Sequence, residues 1–197
     1  MRTLLALFLL LSLTINAADN LIKDPSFKKY KTEWWMGVGQ EYKSYKISFK
    51  RKIFKTELKH TSAPHYFSLA ALVEPETASK YKFSMDLKCD GEGTIYVRTV
   101  NSVQGLSKID RAAEIAKRQR QANLGLSFKI TEFKKDWTNY TCYFTAKENP
   151  YSIQNDAFNI LMGSYQGEIE IKNISIEKVD VFPEGTKENI LATKSSK

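Results

Sequence analysis

The segment YKFSMDLKC, residues Tyr81–Cys89, carries the pattern from which the fold is predicted. Its apolar and polar residues alternate without a break, and the apolar positions are Tyr81, Phe83, Met85, Leu87 and Cys89. Successive side chains of a β-strand point to opposite faces of the sheet. The alternation therefore predicts a strand with one face in the core and the other in solvent.

Six further segments repeat this alternation: YKISF (45–49), FSLAALV (67–73), TIYVRTV (94–100), LSFKITEF (126–133), YTCYFTA (140–146) and AFNILMG (157–163). Turn residues separate them, including Pro75, Gly91, Gly93 and Pro150. About ten short strands with turns between them favour an all-β fold in which two antiparallel sheets form a β-sandwich.

The last strand candidate, GEIEIKNISIEKV (167–179), changes phase within its length. Ile169 and Ile171 alternate in one phase, whereas Ile174 and Ile176 alternate in the other. A shift of one residue exchanges the two faces of a strand. The pattern predicts either a β-bulge near Asn173 or a strand that passes between two environments. Residues 182–197 are polar and without period, and they are predicted to form a loose C-terminal tail.

One helix is predicted within the β pattern, over residues 107–125. Ser107 and Asp110 resemble a capping box, and Asn123 or Gly125 can end the helix. Ile109, Ala112, Ala113 and Ala116 form a narrow apolar stripe, and Arg111, Lys117, Arg118 and Arg120 make the remainder basic. Two interpretations stay open: a basic arm for an anionic ligand, or a solvated helix docked on the sandwich through its alanines.

The first 18 residues have the composition of a secretory signal peptide. Arg2 precedes an apolar run from Leu4 to Ile15, and Ala17 and Ala18 provide small residues for cleavage. The run is short for a membrane span, and the alternative is an anchor that is not cleaved. We therefore expect a secreted protein, extracellular or periplasmic, with one domain over residues 19–181 and no membrane span.

The balance of charges favours acidic partners. Thirty Lys and Arg residues against 22 Asp and Glu residues give a net charge of +8. Such a charge attracts anionic polysaccharides, lipid headgroups or nucleic acids. Secretion argues against a nucleic acid partner.

Two cysteines, Cys89 and Cys142, both fall on the apolar faces of their strands. A secreted protein can form disulfides, so we expect a Cys89–Cys142 bond, with two buried free thiols as the alternative. A catalytic cysteine is not expected at core-facing positions, which lack an activating base.

The residues of common catalytic sites are scarce. The two histidines, His60 and His65, have a spacing that suits neither one helix face nor a standard zinc pair. No nucleophile elbow, phosphate-binding loop or dinucleotide fingerprint is present. The sequence therefore predicts no metal site and no enzyme, although a jelly-roll hydrolase or lyase remains an alternative.

Four segments resemble carbohydrate-binding modules that have a galactose-binding-like jelly roll, of families four, nine and twenty-two. They are NLIKDPSF (20–27) followed by tryptophan, VEPETASKYKFSMDLK (73–88), WTNYTCYFTA (137–146) and IEIKNISIEKV (169–179). The resemblance implies a non-catalytic domain that binds polysaccharide. Such modules often hold a structural calcium between acids at the positions of Lys28 and Lys172, so we expect no calcium there.

The twin tryptophans are expected to have different roles. Trp34 belongs to the apolar set with Met36 and Val38, so it is assigned to the core, and Trp35 then points outward. Aromatic rings stack on sugar rings, which makes Trp35 the first candidate for a sugar platform, unless a loop or the helix covers it.

Two further groups are candidate sugar contacts. Tyr96 and Arg98 share the outward face of their strand, and Tyr165 lies in a turn between two late strands. The alternatives are an ordinary solvated pair and an ordinary turn tyrosine.

The sequence thus predicts a secreted, non-catalytic carbohydrate-binding module for a polysaccharide or glycan, with an acidic polysaccharide favoured by the charge. The alternative is an extracellular or envelope structural domain that uses the same sandwich for protein contacts. Asn139 and Asn173 begin glycosylation sequons, which matter only in a glycosylating host.

Overall fold

The computed structural model describes residues 19–42, 45–117 and 119–195. These residues form eleven strands: β1 (Trp35–Val38), β2 (Lys46–Lys50), β3 (Ile53–Leu58), β4 (Phe67–Val73), β5 (Lys80–Gly93), β6 (Ile95–Ser102), β7 (Asn123–Ile130), β8 (Thr138–Thr145), β9 (Asn155–Leu161), β10 (Tyr165–Val179) and β11 (Ala192–Ser195). They also form the helices α1 (Tyr30–Glu33) and α2 (Lys108–Ala116), and 3₁₀ turns at Gln40–Tyr42 and Pro64–Tyr66.

The strands make two antiparallel sheets. The five-stranded sheet has the order β1-β4-β9-β6-β7, and the six-stranded sheet has the order β11-β8-β5-β10-β3-β2. The two sheets pack as a β-sandwich of the jelly-roll type, which confirms the predicted fold class. None of the helices within the described residues is long and apolar enough to cross a bilayer.

The inward residues of β5 form the centre of the core. The five apolar residues of the opening segment are at most 2% exposed. Phe83 meets Phe158 of the other sheet at a ring distance of 5.7 Å and Phe128 at 5.5 Å. Fully burying a side chain of this size contributes about 1.5–3 kcal/mol. These aromatic contacts hold the two sheets together.

A β-bulge lies in β10, as its sequence predicts. The pairing of β10 with β5 shifts register between Lys172 and Ser175, and Asn173 has a φ of 51°. The extra residue reverses the alternation at that point. Because of this reversal, Ile169, Ile171, Ile174 and Ile176 all point inward, and each is at most 1% exposed.

The segment after β10 is not a loose tail, and that prediction is wrong. β11 pairs with the edge strand β8. Upstream of it, the Asn189 side chain donates to the carbonyl of Gly125 at 3.0 Å and accepts from the Ser127 N–H at 2.8 Å. β8 is an edge strand, and its unpaired backbone N–H and C=O groups can bind another strand whatever the side chains of that strand are. A strand such as β11 therefore needs no alternation of apolar and polar residues, and the sequence pattern did not reveal it.

The helix prediction is correct at its start and wrong at its end. Ser107 Oγ accepts from the Asp110 N–H at 3.2 Å, as in a capping box. The helix ends at Ala116, however, and residues 123–130 form β7. It is not docked through its alanines either, because Ala112, Ala113 and Ala116 are exposed and Glu114 is the buried residue of α2.

The predicted disulfide is also wrong. Cys89 and Cys142 are both buried and free. Cys142 of β8 lies opposite Phe83 of β5, six residues from Cys89 along the same strand, a distance of about 20 Å at 3.4 Å per residue. A disulfide needs Cα atoms within about 7 Å. Burial raises the pKa of both thiols to about 12.

Trp34 is a core residue, as predicted. It is 5% exposed, its ring lies 5.0 Å from that of Phe27 and 6.4 Å from that of Phe158, and its indole N–H donates to the Asp24 carbonyl at 2.9 Å. It therefore joins the N-terminal segment to the five-stranded sheet.

We expect Trp34→Ala to lower the free energy of unfolding by about 3–5 kcal/mol, because truncation of a buried aromatic leaves a cavity. Trp35→Ala is the matched control and should cost much less, since Trp35 is only half-buried. Urea titration followed by circular dichroism measures both values. A larger loss for Trp35 than for Trp34 would show that the faces are assigned the wrong way round.

Candidate functional site

The outer face of the five-stranded sheet presents one residue of each strand in a single row. The row runs Trp35, Ala70, Asn159, Arg98 and Ser127, and each neighbouring pair is in direct register. Strands lie about 4.8 Å apart, so the row spans about 19 Å. The row places an aromatic ring near one edge and a guanidinium group further across the same face.

The next row has a glycine in place of a side chain beside the tryptophan. It runs Gly37, Ser68, Leu161, Tyr96 and Lys129. A Cβ atom on Gly37 would lie 2.6 Å from Ser68 Oγ, closer than real contacts allow. A side chain at this position would therefore displace the Ser68 hydroxyl.

Two depressions lie on this face. One, of about 390 Å³, is lined by Pro64, His65, Tyr96, Val97, Arg98, Ser127, Phe128 and Leu161. The other, of about 450 Å³, includes Trp35 and a polar lining of Ser68, Asn101, Ser102, Gln104, Glu114, Gln119, Gln121, Gln154 and Asn159. We call the two together the sheet groove. Its lining combines aromatic rings, amides and one guanidinium.

Arg98 has a hydrogen-bonding group without a partner. Its Nη2 donates to Gln121 Oε1 at 2.5 Å. Its Nε is buried and has no hydrogen-bond partner among the described residues. Burial lowers the pKa of the guanidinium, but arginine stays charged at any physiological pH. A buried charged donor without an acceptor costs free energy, and solvent does not reach this atom.

A buried carboxylate holds α2 at one end of the sheet groove. Glu114 is 2% exposed, and it accepts from Gln154 Nε2 at 2.7 Å and from Lys117 Nζ. The hydrogen bond from Gln154, followed by the bond and the charge of Lys117, lowers the pKa of Glu114 despite its burial. The helix is thus attached to the sandwich by a polar contact.

The same network positions the segment that follows α2. Gln154 also donates to Gln119 Oε1 at 2.7 Å and accepts from Asn101 Nδ2 at 2.6 Å. Asn101 in turn accepts from the Ala122 N–H. Gln121, which contacts Arg98, lies between Gln119 and Ala122 and is therefore held between two anchored residues.

Three of the four predicted sugar contacts lie on the sheet groove. Trp35, Tyr96 and Arg98 line it and are each half-buried. The placement of Tyr165 as an accessible turn residue is wrong. Its ring is 0% exposed, packs edge-on against Phe133 at 4.8 Å, and has its hydroxyl 3.3 Å from the Glu168 carbonyl. The ring has no free face for a ligand.

Several groove residues were not identified from the sequence. Asn159 and Ser68 occupy outward positions of strands in which inward and outward residues alternate. That alternation could have identified them from the sequence. Gln121 and Gln154 lie outside the strand patterns. His65 comes from the 3₁₀ turn before β4, whose position beside Tyr96 depends on chain packing.

The residues around the expected calcium position, including Asp24 beside Lys28, have other contacts. Both carboxylate oxygens of Asp24 accept backbone N–H groups, from Lys28 at 2.9 Å and from Lys29 at 2.6 Å. Lys172 lies over the ring of Trp137, 4.0 Å from its centroid. Among the residues that the structure describes, three or more His, Cys, Asp or Glu side chains do not cluster as a metal site would require.

Comparison with known proteins was made at three levels. No family model matches the sequence, and no curated protein matches it either. Solved structures do match. A CBM4 module has a TM-score of 0.58 at 11% identity, over 80% of this chain and 99% of that one.

Two further matches are domains of the Cellulomonas fimi β-1,4-glucanase C. Its second N-terminal cellulose-binding domain has a TM-score of 0.54 at 13% identity, over 85% of this chain and 99% of that one. Its N-terminal cellulose-binding domain has a TM-score of 0.52 at 9% identity, over 76% of this chain and 91% of that one. The chain has the fold of a carbohydrate-binding module. This confirms the fold that the four resembling segments implied.

We expect acid to loosen the attachment of α2 to the sandwich through Glu114. Its pKa in the folded state is depressed, so its contribution is present above its ordinary pKa and is lost as pH falls through the lowered folded-state value. NMR chemical shifts of the α2 amides, followed from neutral to strongly acidic pH, measure the effect. The shifts should change with pH in the unaltered protein and in Glu184→Gln, which removes an exposed acid elsewhere. An unchanged pH response in Glu114→Gln would contradict this role.

Proposed function

We propose that this protein is a secreted, non-catalytic carbohydrate-binding module that binds an acidic polysaccharide along the sheet groove. The observation that carries the proposal is the row from Trp35 through Asn159 to Arg98 on one open face. Secretion rests on the signal-peptide composition of residues 1–18. The fold supports the proposal, because the solved structures that it resembles include carbohydrate-binding modules.

Trp35 supplies the stacking surface in this proposal. Its indole is half-buried at the edge strand of the sheet, and the next outward position of that strand, Gly37, has no side chain. The C–H faces of a sugar ring are apolar and pack on an aromatic face, which loses little side-chain entropy on binding. The six-stranded sheet also has a tryptophan, Trp137, directly before β8. The ammonium group of Lys172 lies over its ring, so that ring is less available for stacking.

The amides of the sheet groove supply hydroxyl recognition. Asn159, Gln104 and Gln121 line the larger depression together with Ser68 and Ser102. Asn and Gln side chains offer both donors and acceptors, as sugar hydroxyls do. A polar, open lining of this kind fits a hydrated chain of sugars. The centre of a protein–protein interface is, by contrast, apolar and depleted of charged residues.

Arg98 supplies the preference for an acidic sugar. The N–H groups of its guanidinium that Gln121 does not engage can donate charge-assisted hydrogen bonds to a carboxylate or a sulfate. Lys129, in the next row, and the net charge of +8 add attraction at longer range.

The absence of catalysis in this proposal follows from the lining of the sheet groove. Glycoside hydrolysis requires two carboxylates on opposite sides of the bond that breaks. The residues that line the two depressions include one carboxylate, Glu114, which is engaged by Gln154 and Lys117. The groove can hold a polysaccharide, but it lacks the acid and base that cleavage needs.

We expect Trp35→Ala to weaken polysaccharide binding by on the order of 1–3 kcal/mol, because it removes the stacking face. Affinity electrophoresis in gels with pectate, alginate, xylan or β-glucan measures the retardation. Trp137→Ala, on the outer face of the other sheet, is the matched control and should bind like the unaltered protein. Retention of a protein partner with no retardation by any polymer would favour the protein-interaction alternative instead.

Arg98→Gln should reduce binding to the acidic polymers by about 1.5–3 kcal/mol, the range for hydrogen bonds to charged groups, and reduce binding to neutral polymers less. Binding of the unaltered protein to acidic polymers should also fall with salt. Lys88→Gln removes a charge from the other sheet and serves as the control. Equal losses on acidic and neutral polymers would show that Arg98 recognises hydroxyls and not acids.

A further inference from the structure

The two depressions of the sheet groove differ in charge. Among the described residues, those that line the smaller depression include two basic side chains, Arg98 and His65, and no acid. The described residues that line the larger depression include one acid, Glu114, and no basic side chain. The groove therefore has one cationic part and one part without cations.

Arg98 marks the boundary between the two parts. It lines the smaller depression, whereas its hydrogen-bond partner Gln121 lines the larger one. Arg98 Nη2 donates to Gln121 Oε1 at 2.5 Å, so a neutral acceptor occupies the guanidinium on that side. The remaining Nη hydrogens can donate charge-assisted hydrogen bonds to an anion in the smaller depression.

Further basic groups lie beside the smaller depression. His65 is exposed at its rim, in the 3₁₀ turn before β4. Lys129 is exposed and pairs in direct register with Tyr96, which lines the depression. Within the part of the chain that the structure describes, neither these two side chains nor Arg98 forms an ion pair with an acid. An anion that enters this depression therefore meets basic groups that no acid has neutralised.

The larger depression suits an uncharged sugar. The charge of Glu114 is balanced by Lys117, and the rest of the polar lining consists of amides and hydroxyls such as Gln104, Asn159 and Ser68. Amides exchange hydrogen bonds with sugar hydroxyls. An ionised group that entered this depression would lose hydration and find no cation in return, which costs free energy.

We infer that the sheet groove selects a polysaccharide in which acidic sugars are separated by neutral ones. The acidic sugar lies in the smaller depression, and a neutral sugar lies beside it in the larger one. This selection rests on the proposed function, whose ligand class it narrows. A polymer with an anion on every sugar places a charge in the larger depression, and a neutral polymer leaves Arg98 without an anionic partner. The anion is a carboxylate or a sulfate, since a guanidinium group recognises both.

The test varies the fraction of acidic sugars on a constant backbone. Pectins of graded methyl esterification and carboxymethyl celluloses of graded substitution provide two carboxylate series. κ-Carrageenan, with sulfate on alternate sugars, and λ-carrageenan, with sulfate on every sugar, provide the sulfate pair. Isothermal titration calorimetry at fixed salt measures their binding to the chain from Asp19 to Lys197, which contains both sheets.

We expect the tightest binding at an intermediate acidic fraction, or to κ-carrageenan if the anion is sulfate. The fully acidic member should bind about fivefold more weakly, the size of one interaction between partly exposed charges. If net charge alone attracted the ligand, affinity would rise continuously with the acidic fraction. A continuous rise, or equal affinity throughout, would overturn the inference and leave polysaccharide binding in place. Absence of binding to all of these polymers would overturn the proposed function as well.

A charge variant assigns the selection to the larger depression. Gln104→Lys places a cation there and should raise the affinity for the most acidic pectin about fivefold, with a smaller change for the half-esterified pectin. Gln166→Lys is the matched control, because Gln166 is exposed on the six-stranded sheet and the same charge is added away from the groove. Far-UV circular dichroism confirms that both variants fold. Equal effects of the two variants on the most acidic pectin would overturn the inference.

Discussion

The pleat of the five-stranded sheet links the core to the sheet groove. Three groove residues directly follow a core residue in extended backbone: Trp35 follows Trp34, Asn159 follows Phe158, and Arg98 follows Val97. Because successive side chains point to opposite faces, packing the first residue inward forces the second outward. The aromatic contacts that close the sandwich therefore also fix the direction of the groove side chains, and binding residues on strands are held more rigidly than binding residues on loops.

The groove contains one charged group whose hydrogen bonding is incomplete. Arg98 contacts Gln121, and the Glu114–Gln154 network anchors the residues on both sides of that glutamine. The network keeps the guanidinium in place while its Nε has no acceptor.

Helix α2 shows how a polar contact can direct an apolar surface outward. Its attachment through Glu114 leaves Ile109 and the alanines on the solvent side, whereas Ile115 lines the larger depression. An attachment through the alanines, the usual arrangement, would have placed the charges outside.

Much of the fold follows from patterns that are local in the sequence. Alternation over five to nine residues identified most strands, assigned Trp34 inward and Trp35 outward, and located the bulge at Asn173, because the pleat depends only on neighbouring residues. Ser107 and Asp110 likewise marked the start of α2, since capping involves residues three apart. Three of the proposed groove residues, Trp35, Tyr96 and Arg98, were identified in the same way.

Tertiary structure alone decided what depends on register between strands distant in sequence. Alternation placed Cys89 and Cys142 on inward faces, but only the pairing of β5 with β8 separates them by six residues. Tyr165 has the sequence context of a turn, yet it begins β10 and is enclosed when that strand pairs with β5. The row that joins Trp35, Asn159 and Arg98 exists because β1, β4, β9 and β6 align in one register. Backbone hydrogen bonds are alike at every residue, so the side-chain pattern of a single strand does not specify its position along its neighbour.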